Sequence, residues 1–147
     1  MTLTDKTAPS QTESLSFEFD LQHSPEKVWR ALTDPVLLTE WLLPVVDLKL
    51  EPGAAFAFKT QAHPGWDGTV NCRLVEIEAR RKLSYTWGVA WGVDTVVTFT
   101  LTPTASGTRL HLVHSGFKPD QKGEFGGQRY GWKMMGGKLV DLLARIP

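Results

Sequence analysis

From Leu15 onward the chain alternates, with Leu15, Phe17, Phe19 and Leu21 on one face and Ser16, Glu18 and Asp20 on the other. That period of two is a half-buried strand. Ser24-Pro25-Glu26 then opens a helix. Ser24 can accept a hydrogen bond from the first turn, Pro25 loses nothing at the first helical position, and Glu26 favours the positive end. Val28, Trp29 and Leu32 give this helix its buried stripe. Asp34-Pro35 repeats the same start, for a second short helix through Leu37, Leu38 and Trp41 that Pro44 ends.

The middle of the chain is a succession of strands. Glu51-Pro52-Gly53 is a turn, and Phe56 and Phe58 share one face of the strand after it. A loop with His63, Pro64, Gly65 and Trp66 closes on an Asp67-Gly68 reversal. A strand over 69–77 leads to the basic turn Arg80-Arg81-Lys82. Leu83, Tyr85 and Trp87 then alternate with Ser84 and Thr86, and residues 88–92 form a turn that displays Trp91. Val97, Phe99 and Leu101 line one face of the next strand. After Ser106-Gly107, Leu110, Leu112 and His114 line the last.

From residue 132 a helical period takes over. Trp132, Met135, Leu139, Leu142, Leu143 and Ile146 recur at steps of three and four, the mark of one buried face. Gly136-Gly137 interrupts it, although an interior helical glycine costs about 1 kcal/mol relative to alanine. Either the helix crosses a sheet closely there, or the missing side chains leave room for a ligand. One strand, two short helices, about six strands and a long helix make an α+β domain over 14–147. With no helices between the middle strands, parallel crossovers are excluded. The economical arrangement is a curved antiparallel sheet wrapped around the C-terminal helix. Residues 1–13 are polar and aperiodic and read as a flexible tail.

Composition narrows the function. The 147 residues carry 16 Lys+Arg against 16 Asp+Glu, so no global positive footprint for nucleic acid exists. A single cysteine, Cys72, rules out an intrachain disulfide and fits a reducing compartment. No stretch approaches the roughly 18 apolar residues of a spanning helix. The expectation is a soluble cytoplasmic protein with no membrane partner, monomeric or a weak homodimer. The histidines lack metal-ligand spacing, and neither a nucleophile elbow nor a phosphate loop occurs, so no metal and no cofactor are expected. Asp47, Glu76 and Asp94 are not placed in carboxylate pairs by spacing. Cys72, between Val70 and Leu74, reads as a small buried thiol.

Six tryptophans and seven phenylalanines are the unusual feature. Alternation points Phe56, Phe58, Tyr85, Trp87, Phe99 and Trp132 into the space between sheet and helix, with Trp41 and Trp66 near its mouth. They make either a solid aromatic core or an apolar pocket with polar handles. His114 stands where alternation expects an apolar side chain. It is either hydrogen-bonded in place, to backbone or near Trp132, or it orients a ligand or moves a proton.

The segments Val28-Trp29-Arg30-Ala31-Leu32-Thr33-Asp34-Pro35, Leu38 to Leu42, Arg81-Lys82-Leu83-Ser84-Tyr85-Thr86-Trp87, Gly107-Thr108-Arg109-Leu110 and His114-Ser115-Gly116-Phe117 resemble the START-like (SRPBCC) superfamily. They are most similar to its branch like the C-terminal domain of the Hsp90 ATPase activator; Gly131-Trp132 with Leu139 and Leu143 matches that branch's closing helix. The resemblance implies a helix-grip fold with a cavity between sheet and long helix. It also implies a ligand site drawn from Trp41, Phe58, Trp66, Tyr85, Trp87, Phe99, His114, Trp132, Met135 and Gly136. Unlike the eukaryotic co-chaperone, this chain reads as a lone domain without the N-terminal activator module. Three functions follow as expectations: non-catalytic binding of a small hydrophobic or aromatic molecule, an interaction role with a chaperone partner, or a cyclase- or aromatase-like enzyme using His114.

Overall fold

The structure, a computed structural model, describes residues 2–8, 13–62, 67–89 and 93–147. Its elements are β1 (Thr2–Asp5), β2 (Ser14–Leu21), α1 (Pro25–Thr33), α2 (Pro35–Trp41), β3 (Val45–Val46), β4 (Ala55–Lys59), β5 (Thr69–Glu78), β6 (Lys82–Val89), β7 (Val93–Thr104), β8 (Gly107–Ser115) and α3 (Lys122–Arg145). The expected helix starts form as the sequence requires. Ser24 Oγ accepts from Lys27 N at 3.2 Å, Asp34 Oδ1 accepts from Val36 N at 2.9 Å, and each helix has proline in its first turn.

The eight strands form one antiparallel sheet in the order β1-β2-β8-β7-β6-β5-β4-β3, curved around α3. Sequential hairpins build it from β4 to β8. The return of β8 beside β2 sets Leu15 opposite His114 and Phe19 opposite Leu110. The basic turn is a tight hairpin: Arg80 takes φ 65° and Arg81 N donates to Glu78 O at 2.9 Å. Inner positions alternate as expected, so Leu15, Phe17, Phe19, Leu83, Tyr85, Trp87, Val97, Phe99, Leu110 and Leu112 are all buried against α1, α2 and α3. From α3 the core receives Phe125, Trp132, Leu139, Leu142 and Leu143. Among the described residues no helix is long and apolar enough to cross a membrane.

The loose tail expected before Ser14 is not what forms at residues 2–7. There, β1 pairs with β2 from Thr2 opposite Asp20 to Asp5 opposite Phe17, and Lys6 N continues the ladder to Ser16 O at 2.7 Å. The partners that hold it are distant in sequence. Leu3 packs on the core, and Asp5 Oδ2 lies 2.7 Å from Arg129 Nε and 3.3 Å from Lys133 Nζ of α3. A local period cannot display such contacts. The His63–Trp66 loop and the Trp91 turn tip fall outside the described residues.

Candidate functional site

Alternation on β4, β6 and β7 and the stripe of α3 do bring the aromatic side chains together. Trp41 meets Phe99 at 6.4 Å between ring centroids, and Phe99 meets Trp132 at 6.2 Å. Trp132 meets Trp87 at 5.6 Å, Trp87 meets Phe58 at 5.5 Å, and Tyr85 bridges Phe58 and Phe99 at 6.0 and 6.2 Å. Edge and tilted contacts of this kind each contribute about 0.5–1.5 kcal/mol beyond burial. The rings therefore face one another and fill the space between α3 and the sheet. The indole N–H groups of the three tryptophans are also spent on protein acceptors. Trp41 Nε1 donates to Ala31 O at 2.8 Å, Trp87 Nε1 to Gln128 Oε1 at 3.1 Å, and Trp132 Nε1 to His114 Nδ1 at 2.9 Å.

His114 is fully buried, and its hydrogen bonds fix its protonation. Thr95 Oγ1 donates its proton to Trp87 O at 2.9 Å, so it can only accept from His114 Nε2, 2.6 Å away. Nδ1 accepts from Trp132. The ring is the neutral Nε2–H tautomer with both nitrogens engaged. Burial pushes its pKa down to about 3. Among the described residues no carboxylate or phenol is hydrogen-bonded to it, and no lone pair is left to take a proton from a substrate. Of the two roles open to it in the sequence, this is the hydrogen-bonded one, with Trp132 as partner.

Gly136 likewise resolves. A β-carbon there would stand 3.0 Å from Leu3 Cδ2 and from Phe19 Cε2 and Cζ, so the glycine admits a close crossing of α3 over β1 and β2. It does not open a space for a ligand. Met135 is half-buried beside the core, and Trp66 lies outside the described residues.

The unfilled interior lies elsewhere. A small, partly open apolar cavity of about 10 Å³, room for one water at most, sits between α1, α2 and the inner face of β4–β6. Its walls are Leu32, Leu38, Phe56, Phe58, Leu74, Leu83 and Tyr85, closed outward by Leu48 and Leu50. A depression of about 450 Å³ on the outer side of β4–β7 is open to solvent and polar, with Asn71, Arg73, Thr86 and Asp94 on its rim, and is unlike an enclosed apolar site. Cys72 is buried, and desolvation pushes its thiol up to about 12, which leaves it a neutral thiol and a poor nucleophile. Among the described residues no three His, Cys, Asp or Glu side chains gather as metal ligands.

The profile of the family described as Activator of Hsp90 ATPase homolog 1-like protein matches residues 22–144. The chain belongs to that family. It is similar to the crystal structure of protein MLL2253 from Mesorhizobium loti, with 40% identity, TM-score 0.84, and 91% of this chain covering 98% of that one. Protein CV1439 from Chromobacterium violaceum shares the fold at 24% identity, TM-score 0.74, over 89% of this chain and 97% of that. CalU16 from Micromonospora echinospora does so at 23% identity, TM-score 0.68, over 98% and 87%. No curated protein matches the chain. The family's helix-grip architecture is what the sheet and α3 display.

Sequence reasoning passed over several residues that set this interior. Thr95, the acceptor for His114, is in phase with Val97, Phe99 and Leu101, so its inward position was available from alternation. Gln128 and Leu3 carried no such signal. Leu48 and Leu50 lie in an irregular stretch between β3 and β4, where no period predicts a facing side chain.

Proposed function

We propose that this chain binds a small hydrophobic or aromatic molecule in its interior and does not convert it chemically. The observation that carries the reading is the buried aromatic cluster between α3 and the sheet of a helix-grip fold, beside which a small apolar gap remains under residues 48 and 50. Apolar pockets with few polar groups are where small hydrophobic molecules bind. The non-catalytic part follows from His114, whose two nitrogens are both engaged. That argues against the cyclase- or aromatase-like alternative. Thermal-shift screening of the purified chain against uncharged hydrophobic compounds tests the reading, since a ligand of the native state raises the melting temperature by mass action. A concentration-dependent rise supports it; a library that shifts nothing counts against it.

Membership of the Hsp90-activator-like family favours a second reading, a role in contact with a chaperone. Tyr130 and Met134, four residues apart on α3, are 70% and 49% exposed and would supply apolar contact area. Pull-down with purified Hsp90, compared between the parent and Tyr130→Ser/Met134→Ser, tests it.

A further inference from the structure

The depression of about 450 Å³ on the outer side of β4–β7 lies within the size range of small-molecule sites. Two features of the strands shape it. The β5–β6 register runs from Asn71 opposite Gly88 to Leu74 opposite Tyr85 without pairing Cys72 and Arg73, and Arg73 N donates to Thr86 Oγ1 at 2.8 Å. The floor is also built of small residues. Ala55 stands opposite Arg73, and Gly88 lies between Asn71 and Asp94 in one row across the sheet. A β-carbon on Gly88 would stand 3.2 Å from Asp94 Oδ1 and 3.3 Å from Asn71 O, so the glycine lets the carboxylate lean over β6.

Opposite charges share this depression without neutralising each other. Arg73 Nη1 donates to Gly53 O at 2.7 Å, which holds the guanidinium on the β4 side. Among the described residues neither Arg73 nor Asp94 takes part in an ion pair. They stand two residues apart along the sheet and two strands apart across it, on the order of 7 by 10 Å between backbones. Between them, on the same face, are Asn71 and Thr86. The Asn71 amide both donates and accepts, and the Thr86 hydroxyl, which accepts from Arg73 N, keeps its proton to donate.

We infer that this depression binds a short unblocked peptide of two or three residues, with its ammonium on Asp94, its carboxylate on Arg73 and a peptide group on Asn71 and Thr86. Extended residues advance about 3.3 Å each, so two or three of them bridge the gap left between the two charged side chains. A guanidinium suits a carboxylate because it can offer two parallel N–H donors. A singly charged ligand satisfies one end only. Both ends face solvent, so added salt weakens the binding. The site lies on the opposite face of the sheet from the interior discussed above and does not depend on it.

Triglycine is the probe, because it has the backbone and both charges and no side chain to enter the core. Titrated into the full isotope-labelled chain, it should move the amide NMR signals of Asn71, Arg73, Gly88 and Asp94 saturably. N-acetyl-triglycine lacks the ammonium and triglycine amide lacks the carboxylate; each should bind at least tenfold more weakly. Asp94→Asn should abolish the preference for the free ammonium, and Arg73→Gln the preference for the free carboxylate. Both side chains are exposed, so circular dichroism should show the two variants folded as the parent is. The inference is overturned if triglycine gives no saturable shift, if the blocked peptides bind as tightly as the free one, or if the shifts centre on another part of the molecule. It is overturned too if both variants keep the parent's preferences. The thermal-shift screen with uncharged hydrophobic compounds reads the interior, so the two proposals fail separately.

Discussion

The indole proton of Trp132 ends on Nδ1 of His114, 2.9 Å away, inside a core where neither residue meets solvent. This bond ties α3 to β8, and the Nε2–H of the same ring ties β8 to Thr95 of β7. The imidazole thus works as a neutral two-ended connector. It stays neutral because a charge among Trp87, Phe117 and Trp132 would be desolvated.

A pH dependence follows. Native His114 titrates near 3, whereas the unfolded chain titrates near 6.5. Between those values the unfolded state holds the extra proton, so this group's contribution is whole above about pH 6.5 and is lost as pH falls toward 3. In urea unfolding, His114→Gln should be less stable than the parent at pH 7. The gap should narrow toward pH 4, by no more than about 1.4 kcal/mol per pH unit. A gap independent of pH would mean that the ring is not neutral as assigned.

Asp5 has the opposite charge logic in the same direction of pH. Burial raises its pKa, but the hydrogen bonds from Arg129, the Thr7 amide and Lys133 outweigh burial and bring it to about 2, from 3.8. Its stabilisation is complete above about pH 4 and disappears as pH falls through about 2. Asp5→Asn should cost on the order of 1–2 kcal/mol at neutral pH, in the range of a charge-assisted hydrogen bond. Denaturant melts at pH 7, 4 and 3 should show the deficit shrinking at the acid end. Removing residues 2–8 should likewise lower the melting temperature; a truncated chain as stable as the parent would show that β1 adds nothing.

How far the sequence alone reaches can be judged from such residues. Alternation and capping located β2, α1, α2 and β4 to β8, because each carries its own period and its own start and stop signals. The inward set Phe58, Tyr85, Trp87, Phe99 and Trp132 was legible for the same reason. Whether those rings enclose a space depends on how they meet across elements, and no single-strand period contains that. Leu3 and Asp5 were hidden because their partners, Gly136, Phe19, Arg129 and Lys133, are brought together only by the finished fold.

On the long helix, Leu139 is fully buried. Leu139→Ala should cost on the order of 2–5 kcal/mol by chemical denaturation. A loss below about 1 kcal/mol would mean that the helix collapses readily into the gap and does not clamp the sheet.

Two adjacent glycines of α3 should respond to the same substitution with opposite signs. At Gly137 nothing lies within 4 Å of an added β-carbon, so alanine gains helix propensity without obstruction. Gly137→Ala should stabilise by up to about 1 kcal/mol. At Gly136 the same carbon meets the Phe19 ring and the end of Leu3 at 3.0 Å. Leu3 can give way, being on the edge strand, but Phe19 is 1% exposed and sits in the middle of β2. Overpacking of this kind costs about 1–3 kcal/mol and should exceed the propensity gain. Gly136→Ala should therefore melt below the parent and Gly136→Leu further below. Leu3→Ala in the Gly136→Ala background should recover part of the loss, and a double-mutant cycle gives the coupling directly. If Gly136→Ala proves as stabilising as Gly137→Ala, α3 does not approach β1 and β2 as closely as described, and the reason given for that glycine falls.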